Sequence, residues 1–307
     1  MQKYSESLKL MGNNFTITVV ADEKDFALQN IEIAIAEIRR IEQLLTTFRP
    51  DSQTSHINDN AGIEPVVVDA EVFNLIQRSI AISKITQGAF DISYGSIDKS
   101  LWNFDRNMTA LPTAEQARKM VYLIDYRNII TDSEKKTVFL REKGMRIGFG
   151  GIGKGYAAEM AKQKLLANGV KSGIINASGD LAAWGLQPNG KPWTIGIADP
   201  DQPAVIFSYI EISEKAVATS GNYEKFIMIG GRKYSHTIDP KTGLPITGIK
   251  SVTVIADNAE FADAMATPIA VMGIEAGLFL VNQIPDLHCI IIDDDNKVYT
   301  SQNINLT

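Results

Sequence analysis

The alternation in Phe15-Thr16-Ile17-Thr18-Val19-Val20 predicts a strand, entered through Gly12 and the two asparagines after it. Ile31, Ala34, Ile38, Ile41 and Leu45 then recur at spacings of three and four residues and predict a long helix with one apolar stripe. Glu37, Arg39 and Arg40 lie off that stripe, so this helix packs on a core and faces water. The polar, turn-rich run from Phe48 to Gly62 predicts a loop. Glu71 to Thr86 predicts another helix, with Val72, Ile76 and Ile80 on one face, and Gly88-Ala89-Phe90-Asp91 breaks it. Thr113 and Gln116, following Pro112, form a capping box that opens a further helix. Val138-Phe139-Leu140 predicts a strand.

The second half of the chain changes to hairpin patterns. Ile174-Ile175-Asn176 and Trp193-Thr194-Ile195 flank loops that contain Gly185, Pro188 and Gly190. Phe226 to Ile229, Gly230-Gly231 and Arg232 to Tyr234 predict a hairpin with a two-residue turn. Ser251 to Ala256 predicts a strand, and Asn258 caps a helix that runs through Asp263 and Thr267. Asp293 to Asn296 turns a last hairpin. With 307 residues, no repeat and no long linker, the chain reads as one mixed α/β (α+β) unit spanning 1–307, with two lobes left open.

Composition narrows the function classes. There are 30 Lys and Arg against 36 Asp and Glu, a net charge of −6, and no basic run. Nucleic-acid affinity rests on neutralising phosphates, so that class is set aside. No apolar stretch approaches the ~20 residues of a membrane span. A single cysteine, Cys289, excludes an internal disulfide and a Cys-rich metal site, and reads as part of a buried strand. Met1 to Ser5 contains no signal-peptide apolar core, which leaves open a cytoplasmic protein or one whose export signal has been removed.

Candidate chemistry gathers around Gly148-Phe149-Gly150-Gly151-Ile152-Gly153-Lys154-Gly155, five glycines in eight residues between a strand and a helix. Such a bend lets backbone approach an anion at a helix N-terminus. Gly155 stands where a P-loop needs a Ser or Thr for its metal, so that motif fails. Asp263 and Thr267, four residues apart on one helix face, offer hard oxygen donors suited to Mg²⁺. Their bland reading is helix-end stabilisation. His236 ends a hairpin strand near Asp239, where an imidazole can serve as a general base or simply as a hydrogen-bonded structural group. The turns Ser178-Gly179-Asp180 and Ser220-Gly221-Asn222-Tyr223 line a pocket or end strands.

Taken in chain order, these segments resemble the motifs of the ApbE family, the FAD:protein FMN transferases. The matching stretches are Met11-Gly12-Asn13, Phe48-Arg49-Pro50-Asp51-Ser52, Gly88 to Asp91 with Leu101-Trp102-Asn103-Phe104, and Gly150 to Tyr156. Asn176 to Leu181, Thr219 to Tyr223, Ser235 to Gly243 and Ala262 to Thr267 complete them. The resemblance implies a T-fold-like architecture of mixed sheets with helices packed outside and FAD in a central cleft. It implies Mg²⁺ held by Asp263, Thr267 and the main-chain carbonyl of Gly153, and His236 as the catalytic base. Met11, Phe48, Ala89, Phe90, Asp91 and Thr237 would contact FAD, with Lys154 beside it.

The activity so implied is transfer of FMN from FAD to a threonine of a target flavoprotein, with release of AMP. Targets would be subunits of membrane electron-transport complexes, and the site of action periplasmic or otherwise extracytoplasmic. FAD hydrolysis to FMN and AMP, or FAD binding without turnover, are the alternatives. Gly153, Gly148, Asn13, Phe48 and Ala266 depart from the family pattern. Gly153 replaces Ala, Gly148 an Asp, Asn13 a Thr and Phe48 a Tyr, and Ala266 stands where some members carry a second acidic ligand.

Overall fold

The chain opens with a strand that the apolar pattern does not announce. In the computed structural model, which describes residues 1–98, 110–200, 202, 206–221, 226–302 and 304, β1 (Gln2–Leu10) pairs antiparallel with β2 (Asn13–Ala21). β1 is a mostly exposed edge, so its alternation needs few apolar residues. Leu101 to Phe104, Asn222 and Tyr223 lie outside the described residues.

After β2 come α1 (Lys24–Leu45), α2 (Gln53–Asp59), β3 (Val66–Val67), α3 (Ala70–Ile85) and α4 (Ala114–Val121). Then follow β4 (Ile129–Asp132), β5 (Thr137–Leu140), α5 (Gly153–Ala167), β6 (Gly173–Ala177), β7 (Asp180–Trp184), β8 (Trp193–Ala198) and β9 (Ile206–Ile212). The last part holds β10 (Lys215–Gly221), β11 (Phe226–Ile229), β12 (Arg232–Ser235), β13 (Ile249–Ala256), α6 (Ala259–Met272), α7 (Ile274–Val281), β14 (His288–Asp293) and β15 (Val298–Thr300).

The main sheet has eight strands in the order β1-β2-β6-β7-β10-β13-β14-β15. Its pairings are all antiparallel. Alternation along each strand then sorts side chains to two faces. Phe15, Ile17, Val19, Ala182, Trp184, Val252 and Val254 join the large core with α1, α5 and α6. Leu181, Ala183, Val217 and Ile255 face the other way, onto Trp193, Ile197, Ile210 and Ile212 of the β8–β9 ribbon. Covering on both faces explains why all of β13 is buried. A third cluster joins Met120 and Val121 of α4 to Ile227 and Ile238, beside the β11–β12 hairpin.

Helix α1, the α3 helix, the capping box of α4, the hairpin at Gly230-Gly231 and the Asn258 cap form as the sequence predicts. Three expectations are corrected. The 48–62 loop contains α2, nucleated by Ser52, whose side chain accepts from the Ser55 amide at 3.0 Å. Ile174 to Asn176 and Trp193 to Ile195 do not share one hairpin. A tight turn at Ser178 and Gly179, with φ of 54° and 101°, folds β7 straight back on β6, and β8 pairs with β9 instead. The helix after the bend begins inside the glycine cluster, at Gly153, and the segment before it joins no sheet where a strand was expected.

Candidate active site

The glycine bend is shaped by close packing of two helices. A Cβ on Gly155 would lie 2.1 Å from the Ala259 carbonyl oxygen and 2.6 Å from the Asp263 Cβ. Only glycine lets α5 approach α6 this closely. The approach brings the Gly155 amide to donate to Asp263 Oδ2 at 2.9 Å. One anion at the α5 N-terminus is therefore the protein's own Asp263 carboxylate. Gly155→Ala is expected to destabilise the fold by about 1–3 kcal/mol or more through overpacking. Thermal denaturation checks it, with Gly153→Ala as control. There the nearest atom, Phe149 Cβ, would be 3.4 Å away, so a methyl fits.

Asp263 is buried, and its carboxyl is pushed up to about 7 by that burial and by the nearby charge of Asp180. Lys154 carries its charge within reach of both acids. Burial alone would lower its pKa, but Asp263 and Asp180 more than offset this and keep the ammonium charged. The ammonium forms an ion pair with Asp180 Oδ2. Asp180 Oδ1 accepts from the Thr219 amide at 3.2 Å, which anchors it to β10. The Thr267 hydroxyl, on the same helix face as Asp263, reaches Ser220 Oγ at 3.4 Å. This contact joins segments 47 residues apart, where a helix-end role alone would direct the hydroxyl back to its own backbone.

Asp180 is the residue that sequence reasoning passed over. Asn176 Oδ1 accepts from the Gly179 amide at 2.8 Å and closes the turn that delivers Asp180 to the first position of β7. An acid directly after a Ser-Gly turn was the available signal. Its lysine partner, 26 residues away, was not readable.

A cavity of about 480 Å³ opens beside the bend, lined by residues that include Met11, Phe48, Gly148, Gly150 and Lys154. Met11 adopts φ 49°, a left-handed conformation uncommon for a long side chain. Phe48 is 94% exposed, an aromatic face left open by the described residues. No described atom lies within 4 Å of a Cβ built on Gly148, so a side chain there would find open space.

The Gly88–Asp91 segment lies against the same bend. The Gly148 amide donates to the Ile92 carbonyl at 2.9 Å, and Phe90 packs near Gly151. Ala89 and Phe90 are buried. Asp91 Oδ1 accepts from the Ser93 amide and hydroxyl, and Oδ2 from the Tyr126 amide. Burial pushes its carboxyl up to about 6, partly opposed by those donors. With its oxygens so committed, Asp91 chiefly shapes the turn.

His236 is half-buried where the chain leaves β12. Its neighbours are pinned by backbone bonds, Ser235 N to Ile246 O at 3.2 Å and Ile246 N to Thr237 O at 3.0 Å. Asp239 accepts from the Lys241 amide and the Thr242 hydroxyl, both at 2.9 Å, so it serves the following turn. Pro240 and Lys241 of that turn line a second cavity, about 590 Å³, with Gly88 and Asp91. One cavity thus gathers Met11, Phe48 and Lys154, and another connects Asp91 to the turn after His236 and Thr237. Asp263 meets α5 through the Gly155 amide, Thr267 reaches β10 at Ser220, and Gly153 begins α5 beside Met11 and Phe149.

Among the described residues no three His, Cys, Asp or Glu side chains come together as a metal cluster. The donors on α6 still suit a hard divalent cation: Asp263 supplies a desolvated carboxylate and Thr267, one helical turn on, a hydroxyl.

Residues 11–291 match the model of the ApbE family. An FAD:protein FMN transferase of Klebsiella pneumoniae is 32% identical over 97% of this chain and 92% of its own length. One from Treponema pallidum is 30% identical over 89% of this chain and 80% of its own. The crystal structure of the ApbE protein of Thermotoga maritima superposes with a TM-score of 0.87, at 31% identity, covering 98% of this chain and 97% of that one. The chain belongs to the ApbE family. It is a transferase with the fold of that family.

Proposed function

We propose that this chain is an FAD:protein FMN transferase that moves FMN from FAD to a threonine hydroxyl of a target flavoprotein, releases AMP, and works with Mg²⁺. The observation that carries this reading is buried Asp263, held by the Gly155 amide at the glycine bend, with Lys154 and Asp180 paired next to it. Asp263, Thr267 and the Gly153 carbonyl would hold the cation. When bound, Mg²⁺ neutralises charge on the diphosphate and on the departing AMP. Met11 and Phe48 offer apolar and stacking surfaces for the flavin, with Lys154 beside them. Ala89, Phe90, Asp91 and Thr237 contact the remainder of FAD, Asp91 through its backbone because its carboxylate is already bonded.

His236 takes the proton from the acceptor hydroxyl. The threonine oxygen then bonds to the FMN phosphorus, and the phosphoanhydride P–O bond breaks. Its electron pair leaves with AMP. Phosphoryl-type transfer of this kind needs positioning and charge neutralisation more than covalent help, which fits a site with one base and few acids. The targets are subunits of membrane electron-transport complexes bearing a threonine acceptor, outside the cytoplasm. No helix among the described residues is long and apolar enough to cross a membrane.

The test is incubation with FAD, Mg²⁺ and a flavin-free acceptor domain. The expected result is an acceptor heavier by one esterified FMN, with AMP formed in equal amount and both abolished by EDTA. AMP without an adduct would replace this reading with FAD hydrolysis. Bound FAD that yields neither product would make the chain a flavin carrier.

A further inference from the structure

Two buried carboxylates, Asp180 and Asp263, share one ammonium at the first turn of α5. The Lys154 side chain pairs with Asp180, though Asp263 also lies close enough to act on its charge. Asp180 is well fixed for this purpose. It is 4% exposed at its side chain, sits in a strand paired to both β6 and β10, and accepts the Thr219 amide through its second oxygen. Asp263 is fixed separately, by Gly155.

We infer that Asp180 is a positioning residue: it draws the Lys154 ammonium away from Asp263 and so leaves Asp263 open to a divalent cation. The inference rests on the metal reading given under Proposed function. Without Asp180, the ammonium faces a single buried carboxylate, and a lone buried carboxylate strongly favours a counter-charge. Lys154 would settle on Asp263 and compete with the metal for the same oxygens. Asp180 touches neither substrate nor cation in this scheme. It decides which acid the lysine neutralises.

The test is Mn²⁺ binding, read by electron paramagnetic resonance of the free ion, with FAD saturating for each variant. Asp180→Asn is expected to weaken Mn²⁺ binding by about 10–100-fold, the usual effect of losing a group that supports a metal ligand. Adding Lys154→Met to it should recover much of that loss, because the competing ammonium is gone. A merely structural Asp180 would make the double variant no better than Asp180→Asn. Lys154→Met alone should bind Mn²⁺ more tightly than the unaltered chain, and it carries the test if Asp180→Asn fails to fold. The inference is overturned if Asp180→Asn stays within about twofold of the unaltered chain. It is equally overturned if the double variant shows no recovery, or if Lys154→Met alone weakens Mn²⁺. No Mn²⁺ binding by the unaltered chain would overturn the metal reading itself.

Discussion

Asp263→Asn is expected to lower kcat for flavin transfer by about 10²–10³-fold while leaving the melting temperature unchanged or raised. The magnitude is that of removing one electrostatic stabiliser of a transition state. Asn has the same shape, and its amide oxygen can still accept the Gly155 N–H bond now made at 2.9 Å. What disappears is a negative charge in a buried place, where burial already disfavours it. Structure and chemistry are thereby separated. AMP release and covalent flavin are followed in single turnovers, and unfolding by thermal denaturation. A variant with kcat within tenfold of the unaltered chain removes Asp263 from the proposed metal site. A variant that loses activity only because it melts early makes Asp263 a structural group.

His236→Ala should reduce transfer by about 10²–10⁴-fold, the usual range for losing a general base. FAD affinity should stay within about twofold. The backbone around this residue is held by Ser235, Thr237 and Ile246 through main-chain bonds and by the Ser235 hydroxyl, which accepts the Thr237 amide at 2.8 Å. None of these uses the imidazole, so truncation leaves the strand end in place. Covalent flavin formation and titration of FAD by fluorescence read the two quantities. Transfer within tenfold of the unaltered chain would remove the base role, and a parallel loss of FAD affinity would make His236 a binding residue. Asp239 makes a useful contrast, because its carboxylate is engaged in the Lys241–Thr242 turn. Its removal should affect stability before catalysis.

Much of this molecule was legible in one dimension because apolar period and cap chemistry are local. The α1 stripe, the Thr113 capping box and the Asn258 cap each depend on residues within a few positions of one another. Helix α2 was missed for the converse reason. Its seven residues are mostly polar, and polar Asn58 ties it down by exchanging bonds with the backbone of Ile147, 89 residues away. β1 escaped because an exposed edge strand needs no apolar face. The motif residues Met11, Phe48, Gly153, His236, Asp263 and Thr267 were all visible in the sequence, but which of them share a cavity was not.

By itself the chain determined the family, the element types and the candidate ligands, since each rests on residue identity and short-range spacing. Only the folded protein decided that α5 and α6 meet at Gly155, that Asp263 answers the amide at that helix start, and that Lys154 pairs with Asp180. Those facts depend on distances between segments about 26 to 108 residues apart along the chain. Such distances are set by how the sheet and its helices pack, and no local pattern encodes them.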